Sequence, residues 1–178
     1  MSQTHREGME NMLKKLKKVI FVVIAAITLS TGFTTIAPKE ASAHWADPQM
    51  DWAIRNSIIR FDMRDSPAYR KDVWVMMANY QTKKLTFSYE DARQHVISQG
   101  ISDGSRGDDR ITRDEMVGTL FQYHFKSPAW SPKGGFTNSM AWGTDKGIYD
   151  GSRRNDFANR AEVITMMYKY TKYYSYIR

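Results

Sequence analysis

One helical face is written three times along this chain. Its members are Val73, Met76, Met77 and Tyr80; then Met116, Thr119, Leu120 and Tyr123; then Val163, Met166, Met167 and Tyr170. The spacing i, i+3, i+4, i+7 is that of one side of an α-helix. Each set predicts a helix of about three turns, and three such helices can bury their stripes against one another at a common axis. Methionine-rich stripes also suit adaptable binding grooves, but three stripes in one register read better as a packed core. The register is strict. Arg70, Arg113 and Arg160 each stand ten residues before the closing tyrosine, at separations of 43 and 47 residues. The stretches Met50–Tyr80, Arg93–Tyr123 and Met140–Tyr170 align without a gap. A period of this length with two short helices per unit signals repeats that cannot bury their apolar faces singly.

Each repeat reads as helix, loop, helix. In the second, Ser88 with Asp91 opens a helix that ends at Gly100, and Thr112 with Glu115 forms a capping box for the next helix. Between them, Ser102–Asp109 is dense in turn formers. The third repeat has Gly147 after its first helix, an Asp150-Gly151-Ser152 turn, and Asn159 with Glu162 at the next cap. The first is worn: Ser57 replaces the glycine, Phe61 the loop glycine, and Tyr69 holds the cap position. Ile58, Ile101 and Ile148 recur just after the first helix and are expected to seal each repeat onto the core. The repeats span about 45–81, 88–124 and 135–171, joined by the short links Gln81–Phe87 and Lys126–Gly135. The tyrosine-rich tail Tyr168–Arg178 is expected to extend the last helix over the bundle end, with a sugar-stacking surface as the other reading.

The segment before these repeats has a different character. Lys14, Lys15, Lys17 and Lys18 precede the apolar run Val19–Leu29, and Ala41-Ser42-Ala43 follows. That order reads as a secretory signal peptide over residues 1–43 with cleavage after Ala43; a retained anchor is the competing reading. The start is either Met1 or Met12. The run is shorter than the roughly 20 residues of a membrane span. Six Lys/Arg and three Asp/Glu lie before His44, so the net charge of +7 falls to +4 for residues 44–178. Such a surface suits an anionic partner without indicating nucleic acid. The chain has no cysteine. Disulfides, thiolate metal sites and thiol catalysis are therefore excluded, and stability must come from the core and the stacking of repeats.

The candidate chemistry lies with Arg70, Arg113 and Arg160. Each falls in the first turn of its helix, where a cation opposes the helix dipole. A guanidinium beside unpaired helix-start amides suits a carboxylate or another oxyanion. The turns at Asp103–Ser105 and Asp150–Ser152 can add amides and hydroxyls through Gly104, Ser105, Gly151 and Ser152. The alternative is that each arginine only pairs with an acid of a neighbouring repeat. Trp52, His95 and Trp142 form a second column, suited to stacking on sugar faces or to packing between repeats. No histidine spacing points to a metal, and the loops at Asp103 and Asp150 fail the oxygen-donor pattern of an EF-type calcium site. No GxSxG or SxxK occurs, and three repeats leave no room for a catalytic domain. No cofactor and no enzymatic activity are expected.

The repeats resemble the S-layer homology family of bacterial surface proteins. The resemblance rests on Ile111-Thr112-Arg113-Asp114-Glu115, Asn159-Arg160-Ala161-Glu162, Gly100-Ile101-Ser102-Asp103-Gly104 and Gly147-Ile148-Tyr149-Asp150-Gly151. In the first repeat it rests on Trp52-Ala53-Ile54 and Tyr69-Arg70-Lys71-Asp72, which departs from the motif. The resemblance implies an all-α domain with three repeats in a pseudo-threefold arrangement around a central three-helix bundle. It further implies grooves between repeats that bind secondary cell-wall polysaccharide, with the motif arginine on the carboxylate of a pyruvylated sugar and loop glycines and aromatics holding the ring. The implied binding residues are Arg113 and Arg160, then Arg70, with Gly104, Gly151, Ser105, Ser152, Trp142 and Trp52. The protein is then expected to be secreted and held at the cell wall, carrying no cargo. The other expectation is a surface module whose partner is a protein. Under the first, Arg113→Ala and Arg160→Ala abolish wall association without unfolding the bundle.

Overall fold

The computed structural model describes residues 44–175. The leader assigned to residues 1–43 and the last three residues lie outside that range. Among the described residues six helices form: α1 (Asp47–Arg55), α2 (Arg70–Thr82), α3 (Tyr89–Ser98), α4 (Arg113–Phe125), α5 (Thr137–Asp145) and α6 (Arg160–Ser175). Among the described residues there is no β-strand, and the fold class is all-α. No helix there is long and apolar enough to cross a membrane.

The helix boundaries follow the local chemistry. The Ser88 hydroxyl accepts the Asp91 amide and starts α3. Thr112 and Glu115 make a reciprocal capping box at α4, and Asn159 and Glu162 make one at α6. Only half a box remains at α2, where the Asp72 carboxylate accepts the Tyr69 amide, because a tyrosine hydroxyl lies too far from its own backbone to cap. Each short helix ends in a left-handed residue, the conformation glycine adopts at least cost. Gly100 (φ 63°) and Gly147 (φ 64°) fill that position twice, and Ser57 takes it in the worn repeat at φ 56°. Directly after it, the amides of Ile58, Ile101 and Ile148 bond back to Ala53, Val96 and Gly143. All three isoleucine side chains are buried, as expected.

The long helices α2, α4 and α6 carry the apolar stripes into the core. Val73, Met76, Met77, Met116, Leu120, Val163, Met166 and Met167 are buried, while Thr119, Tyr80 and Tyr123 are half-buried. The closing tyrosines meet one another: Tyr80 and Tyr123 have ring centroids 6.0 Å apart, Tyr123 and Tyr170 5.7 Å. The Thr171 hydroxyl donates to the Tyr80 hydroxyl at 2.9 Å and links α6 to α2. Short helices pack on long ones as the pairs α1 with α6, α3 with α2, and α5 with α4.

The other end of the long helices is tied by backbone. Ala68 N–H donates to the Ala158 carbonyl (3.2 Å), Ala158 N–H to Ile111 (2.9 Å), and Ile111 N–H to Ala68 (3.0 Å), closing a ring of three hydrogen bonds. All three residues are buried, so water cannot replace a lost bond. Ala158→Pro removes one donor and strands the Ile111 carbonyl. It is expected to lower stability by about 2 kcal/mol, read as a lower urea midpoint with an unchanged slope.

Candidate functional site

Three grooves lie beside the three arginines. The groove headed by Arg160 has a volume of about 540 Å³, that headed by Arg70 about 380 Å³, and that headed by Arg113 about 230 Å³. Their walls correspond. Ile58, Asp72 and Asn79 line the first, Ile101, Glu115 and Gln122 the second, and Ile148, Glu162 and Lys169 the third. Each groove thus joins an arginine from one repeat to the loop and long helix of another. Aromatics also line them: Phe87 and Tyr89 the first, Trp130 and Phe136 the second, Trp45 the third.

The helix-start amides next to the arginines are not unpaired. The amides of Arg70, Arg113 and Arg160 donate to the carbonyls of Asp109, Asp156 and Ser66, and the next amide along each helix donates to Gly107, Arg154 and Arg64. Glu115 and Glu162 give their amides to the caps. At α4 and α6 the first three helix amides are thus engaged, and the groups these sites offer are side chains. The turn groups are also engaged. Ser105 and Ser152 direct both amide and hydroxyl to Asp103 and Asp150, at 2.8–2.9 Å. Gly104 (φ 69°) and Gly151 (φ 79°) provide the left-handed turn, and the Gly104 carbonyl accepts the Arg93 guanidinium. Gly104, Ser105, Gly151 and Ser152 lie outside the linings of the three grooves.

The arginines differ in what surrounds them. Arg113 is 5% exposed. It bonds to Glu162 at 2.5 Å and Asp150 at 2.9 Å, with its guanidinium carbon 5.0 Å from the Tyr149 ring centre. Asp114, its neighbour, is also buried and bonds to Arg154. Arg70 donates to the Ser105 carbonyl at 3.1 Å and pairs with Glu115 at 3.2 Å and Asp103 at 3.6 Å. Arg106 and Arg153, both at positive φ, add a second cation to Glu115 and Glu162. Arg160 has no such cage. Among the described residues its ion pair is with Asp72 at 3.8 Å, beyond hydrogen-bond reach; its buried Nε, like that of Arg113, has no hydrogen-bond partner. The reason is local: the position held by Asp103 and Asp150 in the other grooves is Arg60 here, and Arg60 donates to the Leu85 carbonyl. The Arg160 groove is lined by the cations Arg60, Lys71 and Arg160 and by Asp72; Lys71 pairs with Asp108 outside the lining, which leaves one positive charge in excess. The Arg70 groove has two cations and two carboxylates.

Trp52 and Trp142 are placed elsewhere. Trp52 packs on Tyr80 and Tyr168, and Trp142 on Phe121, Phe125 and Tyr170. The Trp142 indole N–H donates to the Tyr174 hydroxyl. These contacts lie near the closing tyrosines, ten residues or about 15 Å along each helix from the arginines. Among the aromatics that do line the grooves, Trp45, Trp130 and Tyr149 are outside the repeated column: Trp45 precedes α1, Trp130 lies in the second link and Tyr149 follows a recurring isoleucine.

The chain matches no family model, no curated protein and no solved structure.

Acid is expected to loosen these contacts in two stages. Burial pushes the Glu162 carboxyl up, but hydrogen bonds from Arg153 and the Asn159 amide and the charges of Arg113 and Arg153 outweigh it and hold it below the usual 4.5. Asp150 is likewise held below 3.8: burial works upward, and Ser152 and Arg113 more than offset it. The Ser105 amide keeps Asp103 low. Groups depressed in the folded state stabilise it above their unfolded values and lose that contribution as pH falls through the folded ones. His124, packed against Trp142 and Tyr174, is lowered by burial from 6.5. The unfolded chain therefore takes up that proton first. Stability is expected to decline as pH falls below 6.5 and again below 4.5. Urea midpoints from pH 8 to 3 check this, and His124→Phe removes the upper step only.

Proposed function

We propose that this chain is a secreted wall-binding protein of three S-layer-homology-like repeats, arranged pseudo-threefold around the bundle of α2, α4 and α6. The closed ring at Ala68, Ile111 and Ala158 and the matching walls of the three grooves support that arrangement. Its ligand is secondary cell-wall polysaccharide bearing a carboxylate, such as that of a pyruvylated sugar. The observation that carries the reading is Arg160: a largely buried guanidinium without a hydrogen-bonded acid, at the head of a groove with excess positive charge. A ligand carboxylate would complete its hydrogen bonding and replace the missing turn aspartate. Arg113 and Arg70, already paired with acids, hold the neighbouring repeats together and shape the other grooves. No reaction is proposed.

Calorimetric titration with purified wall polysaccharide tests this reading. Saturable binding that disappears after mild-acid removal of ketal-linked pyruvate is the expected result. Equal binding before and after contradicts it.

A second reading rests on Phe61 and Met63. They are 67% and 51% exposed at the turn where the other repeats have Gly104, Gly151, Arg106 and Arg153. An apolar rim on a cationic groove suits a protein partner. Under this reading Phe61→Gly with Met63→Arg abolishes binding of the protein partner and leaves the melting temperature of the domain unchanged.

A further inference from the structure

The Arg70 groove differs from the Arg160 groove in a way that points to a different kind of ligand group. Arg70 has its Nε on the Ser105 carbonyl and its terminal nitrogens beside Glu115 and Asp103, and Arg106 shares Glu115 at 2.7 Å. Two cations face two carboxylates, so the groove has no spare charge for an anion. Its remaining polar wall is uncharged or hydroxylic: Ser102, Thr119 and Gln122. Over it stands Trp130, 53% exposed. Among the described residues its ring stacks on no other ring, and its indole N–H makes no hydrogen bond. Packing alone gives no reason for the ring to be there.

Trp130 is nevertheless held firmly. On one side Ala129 is buried, with its carbonyl accepting the Ser139 hydroxyl. On the other, Ser131 and Gly135 exchange both backbone hydrogen bonds, at 3.0 and 2.8 Å, and the Ser131 hydroxyl accepts the Gly134 amide. Gly135 sits at φ 54°, which allows that tight loop. Gly118 on α4 lets Phe136 and Ala129 pack directly on the helix, since a Cβ there would come within 2.7 Å of the Phe136 ring. The result is an exposed indole face on a rigid loop, above a polar groove of about 380 Å³. That volume is within the range of about 300–1,000 Å³ usual for small-molecule sites.

We propose that the Arg70 groove is a subsite for an uncharged pyranose unit, stacked on Trp130 and hydrogen-bonded by Asp103 and the hydroxyl and amide side chains of the wall. The proposal rests on the wall-binding reading and assigns the neutral sugar residues of the polymer to this groove and its carboxylate to Arg160. Sugar rings present apolar C–H faces to an aromatic ring and hydroxyls at their edges, which is the combination this groove offers.

The test uses the purified protein with its five tryptophans labelled at the indole nitrogen, the Trp130 resonance being assigned by its loss in Trp130→Phe. Methyl glycosides of glucose, galactose and N-acetylglucosamine serve as neutral probes, and methyl glucuronide as the charged one. The proposal expects the Trp130 resonance to shift saturably with at least one neutral glycoside and at least tenfold more weakly with the glucuronide. Trp130→Ala should weaken that glycoside's binding, followed through α4 amide resonances, by about tenfold or more. An unmoved Trp130 resonance, or tighter binding of the glucuronide, overturns the subsite. Wall sedimentation separates the two ideas. If the protein sediments with walls yet Trp130 ignores neutral sugars, the subsite fails alone. If it never sediments with polysaccharide-bearing walls, the wall-binding reading itself fails.

Discussion

Arg113→Ala is expected to destabilise the domain by about 3 kcal/mol, the lower end of the cost of removing one partner from a buried ion pair. The side chain is 6% exposed and bridges two acids of the next repeat, Asp150 and Glu162. Its loss leaves Glu162, 11% exposed, with only the more exposed Arg153 as a cation partner. That remaining pair is why the lower figure is chosen. A melting-temperature fall of roughly 10 °C is expected. The sequence alone suggested that this substitution would spare the bundle. The geometry points the other way, because this arginine closes the interface between two repeats. Glu162→Gln should cost less than Arg113→Ala, since the amide retains the shape and can still accept a hydrogen bond. A melting temperature of Arg113→Ala within two degrees of the parent's would contradict this assignment.

Arg160→Ala should do the reverse. Its one ion pair is long, and Asp72 keeps the Tyr69 amide and the Tyr89 hydroxyl as partners without it. The expected loss of stability is under about 1 kcal/mol. The expected loss of affinity for wall polysaccharide is about 10- to 100-fold, the value of one charge-assisted hydrogen-bonded contact. Arg160→Lys keeps the charge but not the fork, and should recover only part of the affinity. Calorimetry on the purified polysaccharide, beside thermal melts of the same samples, reads both quantities. Undiminished affinity in Arg160→Ala would remove Arg160 from the binding surface.

The helices were legible because their signals are local. Ser88, Thr112 and Asn159 cap the helices their spacing predicts, and Ile58, Ile101 and Ile148 are buried where their register puts them. Even the worn repeat keeps its left-handed turn at Ser57, although no glycine marks it. The grooves were legible only in part. That each arginine heads one could be read from its place at a helix start. What each arginine pairs with could not, because the partners are distant in sequence, as Asp150 and Glu162 are at 37 and 49 residues from Arg113. Glu115 and Glu162 read as caps from sequence; they do cap, and they also accept arginines from another repeat. The unpaired helix-start amides expected beside the arginines are consumed by carbonyls across the ring, a long-range pairing that no local pattern encodes. Trp52 and Trp142 share a repeat position, but that position faces the closing tyrosines. Trp45 and Trp130 share no repeat position and yet line grooves, since the segment before α1 and the link after α4 are placed by tertiary packing.

Recognition of wall polysaccharide is tested by sedimentation of the purified protein with wall sacculi. One sample of walls keeps its polysaccharide; the other is stripped of it, or of its pyruvyl groups. The protein is expected to pellet with the intact walls and to stay in the supernatant with the stripped ones. Equal pelleting with both, or with neither, would contradict it and direct attention to a protein partner at the exposed Phe61 and Met63.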